Sequence, residues 1–287
     1  MRTAEQHEAG VGGADVAESR LVVDRIADCA RAAERLAAGA VVAHAFANFY
    51  AITTRGDEVT VRRVNELKGR PAEQVGSITA PPAALAEAWD FDQLPSGLTR
   101  RRVLDVVNAL LELGPFGFRG PAAAYLPRLL TSVDAGVTTT QVIAPGTRCP
   151  SNVFLEHALE ATGDRFLYVT SANHSRHLTG ADDTPAHWRA EGLGQDFAGT
   201  PGFVLLEHDD EARARLRYPR HLPMSTSILS FHTVGYLPGD RRPHLTLERH
   251  GSLAAADVRA VLADLGFGLH VGRGAVRRLQ PRSYEVG

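Results

Sequence analysis

This sequence has little cysteine, almost no net charge and no long apolar run. The two cysteines, Cys29 and Cys149, are too few for a disulfide framework or a cysteine-based metal site. The formal net charge is −2, so no overall basic field attracts the chain to nucleic acid or to an anionic membrane. No apolar run approaches the roughly 20 residues that a membrane-spanning helix needs. We therefore predict neither a disulfide scaffold nor a membrane protein.

The N-terminal stretch also lacks the features of a secretory signal. Residues 1–20, MRTAEQHEAGVGGADVAESR, are polar and rich in Gly and Ala, without the apolar segment that a signal peptide carries. Together with the scarcity of cysteine, this composition favours a cytoplasmic protein in a reducing compartment.

Histidine is plentiful, with 12 residues, but it is scattered along the chain. The sequence contains no His-Glu-x-x-His pair. His174 and His177 are three residues apart, yet no further ligand follows at a recognisable zinc spacing. Histidines in solvated loops explain this pattern better than a zinc site, and we predict no metal-binding residues.

Apolar periodicity predicts a single α/β domain within the 287 residues. Residues at helical spacing predict helices over 21–38, 57–69, 99–114, 151–163 and 252–265. Short apolar or alternating runs predict strands over 40–52, near 78, and over 141–143, 166–170, 203–206, 225–231 and 244–248. Because helices and strands alternate and the late strands are hairpin-like, we expect a mixed sheet with flanking helices.

The two ends of the chain differ in composition from this core. We divide the sequence into an N-terminal arm (1–20), a central α/β domain (21–268) and an Arg-rich C-terminal tail (269–287). The tail carries Arg273, Arg277, Arg278 and Arg282. The arms are expected to pack on the body or on a second subunit, so a homodimer stays open.

Lys68 and Arg70 flank Gly69 at the end of a predicted helix, in the stretch LKGRP. Cations at a helix C-terminus complement the helix dipole, so one interpretation is a capped, solvated helix end. The alternative is a site for anions.

The stretch TSANHS, residues 170–175, follows directly on the predicted strand FLYVT. Ligands of open α/β sheets collect at the carboxyl ends of strands, and small hydroxyl and amide groups there can bind phosphate. A simple Asx or Ser turn leaving the strand explains the composition equally well.

Arg148 precedes Cys149, Pro150 and a predicted helix start, in the stretch GTRCP. An arginine beside a helix N-terminus suits an anion. A surface salt bridge is the structural alternative.

Taken in order along the chain, these stretches resemble the YrdC-like family, which includes threonylcarbamoyl-adenylate synthases and the YrdC-like domains of carbamoyltransferases. The resemblance covers about Leu21 to Gly268. It rests on Lys-x-Arg-Pro (Lys68, Arg70, Pro71), Arg-x-Pro (Arg148, Pro150), Ser-x-Asn-x-Ser (Ser171, Asn173, Ser175), a Ser-Thr pair (Ser225, Thr226) and Arg-x-Gly (Arg249, Gly251). It implies a twisted mixed sheet with flanking helices and an open concave cleft.

The resemblance also implies roles for these residues. Lys68 and Arg70 would hold the substrate carboxylate and the ATP phosphates. Nucleotide-binding residues would be Arg148, Ser171, Asn173, Ser225 and Arg249. Members of the family gather bicarbonate, an amino acid and Mg²⁺-ATP, so that a carbamate oxygen attacks the α-phosphorus and diphosphate leaves. Positioning and positive charge then supply the catalysis.

The stretch after the first strand departs from the family pattern. Family synthases carry Pro-Thr-x-Thr-x-Tyr/Phe-Gly-Leu there, with threonines that help to seat L-threonine. Residues 45–52 of this chain read AFANFYAI, which keeps Tyr50 but has Phe46 and Asn48 in place of the hydroxyls. A pocket without its hydrogen-bonding hydroxyls loses discrimination. Because alternate strand residues share a face, we predict one substrate-binding face formed by His44, Phe46, Asn48 and Tyr50. The structural alternative is that these four residues pack the core, since Phe and Tyr are common in strands.

Three functional hypotheses follow. The first is an ATP-dependent enzyme that forms a carbamoyl-adenylate, or transfers its carbamoyl group, with an amino acid or amine other than threonine. The second is a threonylcarbamoyl-adenylate synthase for tRNA t6A modification. The third is a non-catalytic module that binds RNA through a basic concave face, although a net charge of −2 requires strong segregation of charge. The expected partners are ATP, bicarbonate, an amino-acid-like substrate and either RNA or another downstream acceptor.

Overall fold

The computed structural model describes residues 20–175 and 184–284 of the chain. Its α-helices are α1 (Ile26–Ala37), α2 (Glu58–Leu67), α3 (Arg100–Leu113), α4 (Ser151–Thr162), α5 (Ala190–Asp196), α6 (Glu211–Leu216) and α7 (Ala255–Asp264). Its strands are β1 (Leu21–Val22), β2 (Val41–Phe46), β3 (Phe49–Arg55), β4 (Ser77–Thr79), β5 (Phe116–Pro121), β6 (Ser132–Asp134), β7 (Val137–Ala144), β8 (Leu167–Ser171), β9 (Phe203–Glu207), β10 (Ile228–Gly235), β11 (His244–Arg249) and β12 (Gly268–Val271). The α/β class predicted from the sequence is confirmed.

One mixed sheet runs through this part of the chain. The strands follow the order β1-β9-β2-β3-β8-β4-β7-β5-β10-β11-β12, and β6 pairs with β7 off this path. Parallel pairs such as β2 with β9 occur beside antiparallel pairs such as β3 with β8. Since β3, β8, β4 and β7 are neighbours, loops from distant parts of the sequence meet above the middle of the sheet.

Helix α2 shows how local sequence positions the later site. The Asp57 carboxylate accepts a hydrogen bond from the Thr60 amide at 3.0 Å and caps the first turn. Val61 and Val64 face the core. Gly69 then takes a φ of 71°, a left-handed conformation that ends the helix without a side-chain penalty. The helix therefore stops where Lys68 can reach the neighbouring loop.

The start of the first predicted helix is wrong by five residues. Leu21 and Val22 form β1 and pair with Leu206 and Glu207 of β9. The Asp28 carboxylate accepts a hydrogen bond from the Val22 amide at 2.9 Å, which joins the strand to α1. Strand pairing with a distant segment therefore overrides the helical periodicity.

The apolar run at residues 40–52, predicted as one strand leading into a turn, is a β-hairpin. Strand β2 pairs antiparallel with β3, and Phe46 lies opposite Phe49. The reversal takes place at Ala47 and Asn48, with Ala47 at a φ of 60°. This left-handed conformation is uncommon for alanine. Because neither Gly nor Pro stands at the turn, the sequence gives no strong signal for it.

The boundary predicted at residue 268 falls inside the sheet, because β12 pairs with β11. Residues 272–284 then pack on the body, where the Leu279 amide donates to the His250 carbonyl at 2.9 Å. Residues 1–19 of the predicted arm and 285–287 of the predicted tail lie outside the described residues. Within the described ranges, no helix has both the length and the apolar character needed to cross a membrane.

Candidate functional site

A cleft lies on one face of the sheet and contains two adjoining cavities. The inner cavity, about 170 Å³, is lined mainly by β3, β7, β8 and the chain leading into β4. The outer cavity, about 520 Å³, lies between the loop after β8 and residues 274–280. The two cavities share four lining residues, namely Arg70, Ser171, Ser225 and Arg249. A ligand that fills both would therefore pass two arginines at the junction.

Lys68 is fully buried beneath the loop that follows β8. Its ammonium group donates to the Ser171 carbonyl and, at 3.2 Å, to the Asn173 side-chain oxygen. The Ser175 amide donates in turn to the Lys68 carbonyl at 2.7 Å. Any Cβ on Gly69 would come within 2.8 Å of the Ser175 carbonyl oxygen, so only glycine permits this approach. The interpretation of Lys68 as part of a solvated helix end is therefore wrong.

The stretch after β8 forms a hydrogen-bonded loop rather than a simple exit turn. The Ser171 hydroxyl donates to the side-chain oxygen of Asn173. The Asn173 amide nitrogen donates to the His174 carbonyl at 3.0 Å. The structure thus brings Lys68, Ser171 and Asn173 together, as the sequence predicts.

Arg70 and Arg249 lie at the junction of the two cavities. Arg70 donates to the Thr170 hydroxyl at 2.8 Å. Arg249 donates to the Thr226 carbonyl at 2.7 Å and to its hydroxyl at 3.0 Å. Burial, together with the charges of Arg70 and Arg119, lowers the pKa of Arg249 to about 10. Arg249 stays protonated at neutral pH, and the junction is strongly positive.

Arg148 does not join this group, which corrects the expectation that it lies with Ser171 and Asn173 among the nucleotide-binding residues. Its side chain is exposed and donates to the Glu112 carbonyl at the end of α3, at 3.1 Å. It lines neither cavity. The guanidinium binds the carbonyl end of one helix instead of an anion at the start of another.

The four residues predicted to form one substrate face do not share a face. Because the chain reverses at Ala47 and Asn48, Tyr50 lies opposite Ala45 and not beside Phe46. Phe46 packs on Phe49, with ring centroids 5.5 Å apart. A one-residue error in register places every later side chain on the other face.

None of the four lines either cavity, and three of them have hydrogen-bond partners elsewhere. His44 is hydrogen-bonded to the Thr53 hydroxyl at 2.8 Å, and burial lowers its pKa to about 3. Asn48 donates to the His221 carbonyl at 2.9 Å. Tyr50 donates to a Glu211 carboxylate oxygen at 3.0 Å.

Among the polar residues at the inner cavity, Gln141 lines it and Arg119 lies beside Gln141; the sequence motifs indicate neither. Gln141 donates to the Ser77 hydroxyl at 2.6 Å and accepts from Arg119 at 3.1 Å. Arg119 also donates to Glu248 at 2.7 Å. Arg119 and Gln141 are long polar residues within the strands FGFRGP and VTTTQVIA, and that interruption is the signal by which they could have been found.

Three side chains that could bind a metal also meet at this side of the sheet. Ligand atoms of Asp134, His232 and Glu248 lie within 4.8 Å of one another. They come from β6, β10 and β11, so no sequence spacing indicates them. Glu248 is already paired with the Arg119 guanidinium.

Of the two histidines considered for a zinc site, only His174 lies within the described residues. His174 stacks on Phe197, with ring centroids 4.6 Å apart, and His177 lies outside the described residues.

No family model and no curated protein matches the sequence. Solved structures do match it. The structure of Sua5 from P. abyssi in complex with L-threonine superposes with a TM-score of 0.57 at 18% identity, over 90% of this chain and 66% of that one. A variant of the same Sua5 gives a TM-score of 0.55 at 20% identity, over 86% of this chain and 62% of that one.

A hypothetical protein from Streptococcus mutans UA159 gives a TM-score of 0.57 at 17% identity, over 82% of this chain and 91% of that one. The fold is YrdC-like. This chain spans just under two thirds of the length of the Sua5 chains, at 66% and 62%. The YrdC-like fold expected from the sequence motifs, a mixed sheet with a cleft, is confirmed.

Proposed function

We propose that this protein is an ATP-dependent enzyme that forms a carbamoyl-adenylate from bicarbonate and an amino acid or amine. The observation that supports this most directly is the pair of adjoining cavities with Arg70 and Arg249 at their junction. Bicarbonate and the amine first combine to a carbamate with loss of water. A carbamate oxygen then attacks the α-phosphorus of ATP, the bond to the bridging oxygen breaks, and diphosphate leaves with that electron pair.

The outer cavity suits the nucleotide. Its volume of about 520 Å³ lies within the usual range for small-molecule sites. Ser171, Asn173, Ser225 and Arg249 line it and can donate to phosphate or ribose oxygens. Lys68 would act by holding Ser171 and Asn173 in place, because its ammonium group already donates to both.

Mg²⁺ would enter this site as part of the ATP complex. None of the described residues that line the two cavities carries a carboxylate. Mg²⁺ often keeps several waters and binds through substrate phosphates, so phosphate oxygens and water would supply its ligands. The hydroxyl and guanidinium groups of the cleft fit such a complex.

The inner cavity suits the amino acid or amine. Phe49, Ala51 and Ile143 form an apolar wall, while Ser77 and Gln141 form a polar floor. Arg70 at the junction would bind the substrate carboxylate. Phe46, which occupies one of the two positions where the resembling family carries a hydroxyl, packs on the Phe49 ring and supports the apolar wall. For this reason we propose a substrate other than threonine.

The test is diphosphate release from ATP in the presence of bicarbonate and a panel of amino acids and amines that includes threonine. Label from bicarbonate should appear in a nucleotide product. Arg70→Ala should lower turnover by about 100-fold or more, because a cation at a phosphoryl-transfer site is lost. Arg259→Ala, an exposed arginine on α7 that lines neither cavity, is the matched control.

The outcomes separate the hypotheses. Turnover with an amino acid or amine other than threonine supports the proposal. Turnover with threonine alone would favour a threonylcarbamoyl-adenylate synthase. Absence of turnover together with RNA binding that Arg70→Ala weakens would favour a non-catalytic RNA-binding module.

A further inference from the structure

The outer wall of the outer cavity is built by the C-terminal part of the chain. We call residues 272–284 the C-terminal strap. Gly274, Arg277, Arg278, Leu279 and Gln280 of the strap line the cavity opposite the loop after β8. Without the strap, the outer cavity would be an open groove.

Hydrogen bonds attach the strap to the body at both ends. At its start, the Gly272 amide donates to the Leu247 carbonyl at 2.9 Å. At its far end, the Trp188 indole donates to the Arg282 carbonyl at 2.8 Å, and the Trp188 amide donates to the Tyr284 hydroxyl at 3.2 Å. The strap is therefore a defined wall of the cavity.

The two cavity-lining arginines of the strap, Arg277 and Arg278, differ in their hydrogen bonding. Arg278 donates to the Gly251 carbonyl at 3.0 Å and to the Ser252 carbonyl at 2.6 Å, so it holds the strap in place. Arg277 is exposed. Among residues 20–175 and 184–284, Arg277 makes no hydrogen bond or ion pair. Its guanidinium is available to a ligand.

The charge of the cavity points to a polyanion. Four arginines line it, namely Arg70, Arg249, Arg277 and Arg278, and none of its described lining residues is acidic. Arginine binds phosphate oxygens in a bidentate manner more readily than other side chains do. A chain of phosphates therefore fits this wall better than a neutral base or sugar does.

The order of the arginines gives the direction of the phosphates. Arg70 and Arg249 lie where the two cavities meet, whereas Arg277 lines only the outer cavity. If the carbamate forms in the inner cavity, the α-phosphate must lie at the junction. The β- and γ-phosphates then extend towards the strap.

We propose that Arg277 of the C-terminal strap binds the diphosphate portion of the nucleotide and stabilises it as it leaves, and that Arg278 positions the strap. The direction of binding rests on the proposed function. The affinity of the arginine-lined wall for diphosphate does not depend on the proposed function, so it can be measured without turnover.

The experiment is calorimetric titration of inorganic diphosphate and of AMP into the full chain at constant ionic strength. Arg277→Ala should weaken diphosphate binding by about tenfold, the effect of losing roughly 1.4 kcal/mol. AMP binding should change by less than about threefold. Arg273→Ala is the matched control, because Arg273 is an exposed arginine of the same strap that lines neither cavity.

Equal diphosphate binding by Arg277→Ala and wild type would overturn the proposal, as would no measurable binding by the wild type. An equal loss with Arg273→Ala would show that only the net charge of the strap matters. An equal loss of AMP and diphosphate would place Arg277 near the α-phosphate instead. If the wild type bound diphosphate but showed no turnover, and Arg277→Ala lost that binding, the role of Arg277 would be supported. Only the proposed enzymatic function would then be contradicted.

Discussion

The loop after β8 and the β2–β3 hairpin are neighbours in the sheet, yet only the first was placed correctly by its sequence. Lys68, Ser171 and Asn173 meet as expected, because each lies at the end of a helix or strand whose limits have a local signal. In the hairpin, the predicted common face fails, because the chain reverses at Ala47 and Asn48 without such a signal. The position of a residue at the end of a helix or strand follows from the local signal that ends the element. The face on which a residue within a strand lies depends on the pairing register of that strand.

The largest effect on stability is expected for Gly251→Ala, where the chain after β11 approaches the residues before β10 on the cleft side. An added Cβ would lie 2.3 Å from the Ser225 carbonyl oxygen and 2.5 Å from the Thr226 carbonyl oxygen. Backbone atoms cannot give way cheaply, so we expect the free energy of unfolding to fall by about 3 kcal/mol or more. Ligand binding beside Ser225 and Arg249 should fail as well.

Urea denaturation of Gly251→Ala measures this loss. Gly194→Ala in α5 is the control, since no atom lies within 4 Å of its added Cβ. That control should be neutral or stabilising by up to about 1 kcal/mol. An equally mild Gly251→Ala would mean that the two chain segments are not in close contact.

Lys68→Ala should come next, with a loss of about 3 kcal/mol in the free energy of unfolding. It removes a buried cation and leaves the Ser171 carbonyl and the Asn173 side-chain oxygen without that donor. Arg70→Ala should cost only about 1 kcal/mol, because Arg70 is half-buried at the cavity junction. If chemical denaturation shows the two variants equally stable, Lys68 does not hold the loop.

The hairpin should make stability depend on pH through His44. Burial lowers the pKa of His44 to about 3 from an unfolded value of 6.5, so the folded state disfavours its protonated form. The stability due to the neutral ring is complete above pH 6.5 and declines as the pH falls towards 3. At pH 5 this single group should cost about 2 kcal/mol relative to pH 7.

Urea midpoints at pH 7 and pH 5 measure this dependence. His44→Gln is the comparison variant, because glutamine can hydrogen-bond Thr53 but cannot be protonated. Its midpoint should fall less between the two pH values than that of the wild type. If the urea midpoint fell equally in the two proteins between pH 7 and pH 5, His44 would be accessible to solvent.

Asn48→Ala should have the smallest effect, about 1 kcal/mol on the free energy of unfolding. The variant loses one hydrogen bond to the His221 carbonyl in the hairpin turn. Because Asn48 lines neither cavity, the KM for the amino acid or amine should stay unchanged. A raised KM with intact stability would restore the original prediction that Asn48 contacts the substrate.

The same contrast, between local signals and long-range pairing, separates the site residues that the sequence predicts from those that it does not. Asp57 capping α2, Gly69 ending it and Ser171 ending β8 were accessible, since each rests on local backbone chemistry. Arg119 and Gln141 are visible in the sequence as long polar residues, but their place at the inner cavity was not accessible, because only the pairing of β5 with β7 brings them side by side. Arg148 was misplaced because its sequence position favours the start of α4, whereas its side chain reaches the end of α3.

By itself the sequence determined the α/β class, most of the helices and strands, and the positions of Lys68, Arg70 and Asn173 at the ends of elements. Helical and strand periodicities and helix-ending glycines act over a few residues, so they can be recognised in the chain alone. Only the tertiary structure decided that Lys68 is buried, where the hairpin reverses and that the C-terminal strap closes the outer cavity. Those features depend on contacts between residues far apart in sequence, such as Lys68 with Ser171, Asn48 with His221 and Arg278 with Gly251.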